Sequence, residues 1–364
     1  MSVAAALPTP PPAFERLGEE VALPRIEKAL RSLFDAGEGI ARASLINLAL
    51  YNENPDQLGH DAAALAELTS ETACRILLVH ADPRAPSIGA RARVQANCQI
   101  DRNGRRTVCT EQISFFLGGA APGLLRNVVL ANLDSDLPLA FWWRGELSEA
   151  FEERLYSRID RLLFDGETWQ SPRDSLLRLL EARRHASFAM HDLAFTRLNS
   201  VRQAVAKAFD RPALARELPS LSEVSIRHAA GRRLSGLYLA AWIMGRLGAE
   251  IDPADSNPAE VRCRPGASGP REGLRLRIAE LEPGHRGCVE IDFQLGGARV
   301  EIGRCPASDF LRTLTKRTGA APEEDWLPAR RLNDASLVAD ILNRAGRNRT
   351  HAATLPGLLR LLVL

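Results

Sequence analysis

The chain has 364 residues, of which 45% are hydrophobic and 25% charged, so it is long enough to form two domains with buried cores. Lys and Arg number 47 against 45 Asp and Glu, a net charge of +2 that argues against a nucleic-acid-binding protein. The opening residues lack a secretory pattern, and every apolar run is shorter than the roughly 18 to 20 residues that span a bilayer. We therefore expect a cytoplasmic protein that does not associate with a membrane.

The N-terminal half alternates predicted strands and helices. Residues 1–14 are rich in proline and predict a disordered arm, and a helix is predicted from Pro24 onward. The stretches "RASLINLALY", "DAAALAELTSET" and "CRILLVHAD" predict a strand, a helix and a strand. Mostly apolar strands joined by a helix are typical of a sheet that is covered on both faces. After a predicted helix over 122–132, "SDLPLAFWWRGE" and "RIDRLLFDGETW" predict two more strands.

A β-hairpin is predicted around Asn103 and Gly104, which favour a two-residue turn between two alternating strands. Counting outward from that turn places Cys98 opposite Cys109, at a hydrogen-bonded pair on the apolar face. The wide spacing of such a pair favours two inert buried thiols. The same count places Glu111 on that face, where a carboxylate requires a partner such as an arginine.

The C-terminal half has predicted helices over 172–183, 201–210 and 232–247. Strands follow in "LRLRIAEL", "GCVEIDFQL" and "ARVEIGR", and "DASLVADILNRAG" predicts a late helix. We place a domain boundary between 165 and 172. The predicted fold class is therefore mixed α/β, with an N-terminal domain over 15–170 and a C-terminal domain over 171–364, each a mixed sheet with covering helices.

The stretch "DLAFTRLNSVRQAVAKAFD" over 192–210 holds the charged residues that capping does not explain. Ser200 and Gln203 fit a capping box, which leaves Asp192, Arg197 and Arg202 without an assigned role. Two interpretations stay open: an internal Asp–Arg pair or partner contact, and a site for a small anion such as a sugar phosphate at a helix N-terminus.

Two further pairs of residues suggest function. Trp142 and Trp143 alternate along a strand, so we expect one in the core and the other at a domain or partner interface. If Gly296 and Gly297 form the turn of a second hairpin, Cys288 lies opposite Cys305 at a closely spaced position. We hypothesise that these two thiols form a reversible redox switch.

Motifs of known enzymes are missing from the sequence. It contains no GxGxxG, GxxxxGK[ST], GxSxG or HExxH pattern and no CxxC, and His185 and His191 lack the helical spacing of zinc ligands. We therefore expect no bound cofactor and no metal, and the missing motifs argue against an enzyme.

Seven stretches, taken in order, carry a family resemblance. "RASLINLALY", "CRILLVHAD", "CTEQISFFLGG", "SDLPLAFWWRGE", "DLAFTRLNSVR", "GLYLAAWIMGRLGAE" and "ADILNRAGRNRTH" resemble the glucose-6-phosphate dehydrogenase assembly protein family, OpcA. The resemblance runs from about residue 25 to 352, and "DLPLAFWW" and the DLAxTRL core are its most specific parts. Where the family usually has Trp in DLAWTR and Pro-Trp before the second Arg, this chain has Phe195 and Ser200-Val201.

The resemblance implies a cytoplasmic effector that is not itself an enzyme and that promotes assembly and activity of glucose-6-phosphate dehydrogenase in the oxidative pentose phosphate pathway. We expect a surface around Trp143, Arg144, Asp192, Arg197 and Arg202 to contact that partner or an anion. The alternative is a sugar-phosphate-binding enzyme of the isomerase or lactonase type, which would require a deep cleft with a general base facing the arginines.

Overall fold

A computed structural model describes most of the chain in continuous stretches. The described residues are 7–35, 41–42, 44–70, 72–100, 106–119, 121–265, 270, 273–282, 289–305, 308–344 and 348–364.

The elements confirm a mixed α/β fold class with two multistranded sheets. The strands are β1 Glu19–Val21, β2 Ala41–Arg42, β3 Asn47–Asn52, β4 Arg75–Asp82, β5 Gly89–Ile100, β6 Arg106–Gly118, β7 Leu139–Arg144, β8 Arg161–Phe164, β9 Ala189–Asp192, β10 Glu223–His228, β11 Glu250–Ile251, β12 Glu260–Arg264, β13 Leu274–Glu280, β14 Val289–Gln294, β15 Ala298–Arg304, β16 Phe310–Arg317 and β17 Glu323–Pro328. The α-helices are α1 Ile26–Asp35, α2 Leu58–Thr69, α3 Pro122–Leu130, α4 Glu153–Tyr156, α5 Pro172–His185, α6 Leu193–Thr196, α7 Asn199–Phe209, α8 Pro212–Ala215, α9 Arg233–Leu247, α10 Asp334–Leu342 and α11 Arg349–Leu361.

The first sheet has the strand order β1-β5-β6-β4-β3-β7-β8-β9, with β2 paired to β6. Strands β6, β4, β3, β7 and β8 are parallel to one another. When the antiparallel strand β5 is set aside, the order from β6 to β9 is the 3-2-1-4-5-6 order of doubly wound folds. The apolar strands β3 and β7 are central and almost fully buried, as expected of strands covered on both faces.

The hairpin β5–β6 has the predicted register, with Cys98 opposite Cys109. The expectation of two inert thiols is wrong, because these cysteines form a disulfide with their Cα atoms 4.0 Å apart. The pairing shifts between Cys98 and Ile100, so an uninterrupted count from the turn assigns the wrong spacing to this pair. The turn residues Asn103 and Gly104 themselves lie outside the described residues.

Glu111 has the arginine partner that the sequence predicted. It lies opposite Ala96 and is buried, and its Oε2 is 3.1 Å from Nη1 of Arg75 on β4. Arg75 is itself buried and also pairs with Glu27 of α1. Removing one charge from such a buried pair would leave the other uncompensated, so this pair ties β6 to its neighbour β4 inside the first sheet.

The prediction of a disordered arm over 1–14 is wrong for its second half. Residues 1–6 lie outside the described residues, but Phe14 is fully buried, with its ring centroid 6.1 Å from that of Phe116. The Arg91 guanidinium lies 6.0 Å from the centroid of the Phe14 ring. An apolar side chain with these contacts gives the arm an anchor that its proline content did not reveal.

The second sheet has the order β11-β12-β13-β10-β14-β15-β16-β17 and is antiparallel except for the pair β10–β13. Helix α7 packs against β15 and β16, and α9 packs against β10 and β13. Helix α9 is buried along nearly its whole length, yet no helix in the described ranges is long and apolar enough to cross a membrane.

The chain forms two compact units and passes from one to the other more than once. The predicted boundary between 165 and 172 assumed that it passes only once. The separation follows the contacts of individual segments: α10 packs against α2, and α11 packs against α9. The first unit comprises 1–170, 175–191 and 333–347, and the second comprises 171–174, 192–332 and 348–364.

Candidate functional site

The carboxyl ends of β3 and β7 define the first candidate site. These neighbouring strands form the point where the winding of the first sheet reverses, and Asn52 is directly opposite Arg144 there. In open α/β sheets, ligands bind in the crevice outside the strands at this point. Helix α2 begins just after β3, so its first turn faces the same crevice.

A network of charged side chains fills this crevice. Asp61 in the first turn of α2 is fully buried, and its Oδ2 accepts a hydrogen bond of 2.7 Å from Nδ2 of Asn52. Nε2 of the buried His80 lies 3.1 Å from the same oxygen, and Nε of Arg144 lies 3.1 Å from Oδ1. Arg144 also pairs with Asp334 of α10, Nη1 to Oδ2, at 3.0 Å.

The electrostatics of the network keep Asp61 ionised. Burial by itself raises the pKa of the Asp61 carboxyl, but His80, the charge of Arg144 and the amide of Asn52 together hold the pKa below its usual value. A buried carboxylate with this many partners is a structural tie between strands and helix, and each partner restrains the others.

The crevice lacks the local pattern of a dinucleotide site, although the strand order is typical of dinucleotide-binding folds. In such folds a glycine-rich turn after the first strand admits the pyrophosphate to the helix N-terminus. Here the turn over 53–57 reads "ENPDQ" without glycine, and the carboxylate of Asp61 stands inside the first helical turn. Glu53 adds a second carboxylate, which accepts a hydrogen bond from Tyr51. Two carboxylates at this position would repel a pyrophosphate.

Of the predicted contact residues in this first unit, Trp143 is buried and Arg144 is half-buried. Trp142 and Trp143 are both buried, so neither side chain is exposed to a partner. Strand β7 is covered on both faces, and Nε1 of Trp143 donates to the carbonyl of Glu146 at 2.9 Å. The guanidinium of Arg144 lies 5.0 Å from the Trp142 ring and makes the ion pairs already described.

Asp192 belongs to a buried network of the second unit. It is fully buried, and its Oδ1 accepts the N–H of Ala194 as the N-cap of α6. The hydroxyl of Tyr238 donates to its Oδ2 at 2.8 Å and lies 3.0 Å from Nε2 of His351. Asp192 is therefore inaccessible to a partner, because it joins α6, α9 and α11.

Arg202 packs on an aromatic ring. Its guanidinium lies 3.9 Å from the centroid of Phe195, and it hydrogen-bonds to Asn199. Phe195 also contacts the rings of Tyr238 and His351, so the replacement of the family's Trp keeps an aromatic cluster. Arg202 positions this cluster, and nothing in these contacts presents it to a partner.

The capping box that the sequence predicted at Ser200 is wrong. Helix α7 begins at Asn199 with Leu198 as its N-cap, and no side chain caps it. Ser200 is half-buried inside the first turn, and its hydroxyl makes no hydrogen bond within the described part of the chain. The Ser200 hydroxyl in the first turn of α7 is therefore available as a donor within the described part of the chain.

Ser200 and Arg197 line a cavity of about 360 Å³ in the second unit. Residues from the α6–α7 turn, from the β10–α9 turn and from the ends of β15 and β17 surround it. We call it the arginine-lined cavity, because its described lining includes Arg197, Arg232, Arg304, Arg330 and Arg331. Of the five predicted contact residues, Arg197 alone lies on it.

Only one of the two cysteines of the hypothesised redox switch lies within the described residues. The second hairpin has the predicted register, with Ile291 opposite Ile302, and Cys305 is a free, half-buried thiol. Cys288 lies outside the described residues. The switch between Cys288 and Cys305 therefore stays a prediction.

Sequence reasoning did not single out Asp61, His80, Tyr238 or His351. His80 interrupts the apolar run "RILLVHAD", and Asp61 opens an otherwise apolar helix; an isolated polar residue in an apolar element is the signal that could have found both.

The molecule thus combines a doubly wound α/β unit, whose crevice is closed by ion pairs, with a second α+β unit. Two family models match it: residues 65–181 match the N-terminal domain of a glucose-6-phosphate dehydrogenase subunit, and residues 188–355 match its C-terminal domain. The chain belongs to the OpcA family that these two models describe, as the resemblance predicted.

Two curated relatives carry the same family name, OpcA, and their names assign them provisionally to the OxPP cycle. The protein from Synechocystis sp. is 24% identical over 230 residues, which cover 62% of this chain and 47% of the relative. The protein from Nostoc punctiforme is 28% identical over 186 residues, which cover 50% of this chain and 39% of the relative. The matches thus span less than half the length of each relative.

Solved structures with a similar course of the chain include two oxidoreductases. The NAD-binding oxidoreductase from Klebsiella pneumoniae is 11% identical with a TM-score of 0.49, covering 88% of this chain and 96% of that chain. The oxidoreductase from Sinorhizobium meliloti is 10% identical with a TM-score of 0.47, covering 87% and 89%. The fold assignment rests on the strand order itself and not on these likenesses.

Proposed function

We propose that the protein is a non-catalytic effector of glucose-6-phosphate dehydrogenase, which assembles with the enzyme and raises its activity in the oxidative pentose phosphate pathway. The observation that carries this proposal is the match of two glucose-6-phosphate dehydrogenase subunit domains over residues 65–181 and 188–355. The names of the cyanobacterial relatives agree with a role in the same pathway.

Two features of the sites support an effector over an enzyme. At the switch point, where a doubly wound enzyme would bind its nucleotide, Asp61 is held by Asn52, His80 and Arg144, and the turn over 53–57 has no glycine. The alternative, a sugar-phosphate enzyme, would need a general base facing the arginines. Among the described residues that line the arginine-lined cavity there is no Asp, Glu or His.

The effector would act by differential binding. A partner raises the activity of an enzyme only if it binds the active conformation or oligomer more tightly than the inactive one. Trp143 and Asp192 are buried and cannot make that contact directly. Arg197 stays the candidate contact from the predicted set, because it is half-buried and lines a cavity.

The test is a rate measurement with purified proteins. Glucose-6-phosphate dehydrogenase from the same organism is assayed over a range of glucose 6-phosphate concentrations, with and without increasing amounts of this protein, and the mixture is sized by light scattering after chromatography. We expect a saturable rise in kcat/KM of about fivefold or more, together with co-elution. Arg197→Ala should weaken the effect.

Arg216→Ala is the matched control, because it removes an equal charge from an exposed position of the same unit. An unchanged rate, with the two proteins eluting separately at micromolar concentrations, would contradict the proposed function. If the Arg197→Ala variant raises kcat/KM of the dehydrogenase as much as the parent does, only the assignment of Arg197 as a contact residue is contradicted.

A further inference from the structure

The arginine-lined cavity lies at one end of the second sheet. Strands β10, β15 and β17 end there, and β14 and β16 begin there, since neighbouring strands run antiparallel. The cavity lining therefore comes from six separate segments of the chain, and its arginines come from four of them.

The charge of this cavity is unbalanced. Its described lining has five arginines and no carboxylate. For Arg232, Arg330 and Arg331, the described part of the chain supplies neither an ion pair nor a side-chain hydrogen bond. Some other arginines of the same unit are matched by acids, as Arg227 is with Glu290 at 2.9 Å. The guanidinium groups of Arg232, Arg330 and Arg331 therefore give the cavity a positive potential, which points to an anionic ligand.

Two helices begin beside the cavity. Helix α7 starts at Asn199 and α9 starts at Arg233, and neither has a side-chain cap. Amide groups in the first turn of a helix carry partial positive charge and bind phosphate oxygens. The hydroxyl of Ser200 adds a donor between the arginines and the start of α7.

We propose that the arginine-lined cavity binds a small organic phosphate or another small molecule with at least two negative charges. Guanidinium groups hold phosphate through paired hydrogen bonds. The apolar side chains of Val201, Val289 and Leu311 in the lining would contact the carbon part of the ligand. A volume of about 360 Å³ is that of a small-molecule site, and it is too confined for a nucleic acid or a folded partner.

This inference does not depend on the proposed function, because its test uses the protein alone. Isothermal titration of the full chain measures binding of inorganic phosphate, pyrophosphate and a hexose phosphate, with the uncharged hexose as a control. We expect pyrophosphate and the hexose phosphate to bind and the neutral sugar not to bind. The affinity for both phosphates should fall as the salt concentration rises.

Variants locate the site. Arg330→Ala combined with Arg331→Ala should lower the affinity for pyrophosphate at least about tenfold, since each charged hydrogen bond contributes about one power of ten. Arg216→Ala removes an exposed arginine of the same unit and should leave the affinity unchanged.

Ser200→Asp provides a second variant that keeps every arginine. It places a carboxylate in the first turn of α7, where a negative charge favours the helix, so the variant should fold at least as well as the parent. The carboxylate competes with the ligand, and we expect a loss in affinity of at least about tenfold. Absence of pyrophosphate binding to the parent, or binding by both variants as tight as that of the parent, would overturn the proposal. Tighter binding of an acidic peptide than of any small phosphate would also overturn it and would assign the cavity to a protein segment.

Discussion

The switch-point crevice of the first unit and the arginine-lined cavity of the second unit both hold arginines at the ends of strands. They differ in the number of carboxylates that lie beside those arginines. In the crevice, Arg144 lies 3.1 Å from Asp61 and 3.0 Å from Asp334, and the carboxylates satisfy it. In the cavity, five arginines share a lining that holds no acid among its described residues. The difference teaches that an arginine near a sheet end indicates a ligand only when the protein itself does not neutralise it.

The largest expected effect on stability comes from a substitution in the switch-point crevice. Asp61→Ala removes the carboxylate that His80, Asn52 and Arg144 share, and it leaves buried polar groups unpaired. We expect a loss of about 3 to 5 kcal/mol in the free energy of unfolding, measured by urea denaturation.

Asp340→Ala is the control for that measurement. Asp340 pairs with Arg344 one helical turn away on an exposed face, so its removal should cost less than about 0.5 kcal/mol. Equal losses for Asp61→Ala and Asp340→Ala would mean that the crevice network does not stabilise the first unit.

A second test uses pH on a buried group of the first unit that lacks a compensating acid. Burial, aided by the positive charge of Arg161, lowers the pKa of His191 to about 4. The unfolded value is about 6.5, so the neutral folded form contributes stability that is complete above about pH 6.5 and is lost as the pH falls towards 4. The loss should approach about 3 kcal/mol.

Urea midpoints between about pH 7 and 4.5 measure this dependence. His191→Gln should flatten it, whereas His185→Gln, at an exposed position, should reproduce the parent slope. An unchanged slope in His191→Gln would show that the imidazole of His191 titrates normally.

A smaller effect is expected from the buried network of the second unit. Tyr238→Phe removes the hydroxyl that joins Asp192 to His351 but keeps the ring packed on Phe195. We expect a loss of about 1 to 2 kcal/mol, because a buried carboxylate loses a donor. Tyr156→Phe, at a half-buried position, serves as the comparison, and equal losses in the two variants would argue against the network.

The smallest effect is expected in the unbalanced region. Arg330→Ala combined with Arg331→Ala should change the free energy of unfolding by no more than about 0.5 kcal/mol, because both side chains are exposed. Thermal unfolding with and without pyrophosphate sharpens the comparison: the ligand should raise the Tm of the parent and not that of the variant. A large loss of stability without ligand would mean that these arginines are structural.

Much of the fold follows from local patterns in the sequence. The apolar runs of β3, β4 and β7 and the alternation of β5 predicted strands, and counting from the turn gave the register of β5 on β6. Strand β17 was missed because most of its positions are exposed, and α11 was missed because Pro356 interrupts its helical pattern. The strand order could not be read, since pairing joins residues far apart in sequence.

The candidate sites were harder to predict for the same reason. Trp143 and Asp192 looked like contact residues because polar or aromatic residues beside an arginine are frequent in interfaces, but both are buried. The sequence cannot distinguish the faces of a central strand when both are covered. Arg197 was found from local charge alone, whereas the other cavity arginines come from distant segments that only the second sheet brings together.

The division of the chain has a consequence for synthesis on the ribosome. The first unit includes residues 333–347, which supply Asp334 to Arg144, and the second unit includes residues 348–364. Domains usually fold in the order in which they are translated. Here the N-terminal unit lacks its last helix until almost the whole chain has been made, so neither unit can finish folding while the other is still being translated. In a stalled or shortened translation product that lacks residues 333–347, Arg144 would therefore keep Asp61 but lose its second carboxylate partner, Asp334.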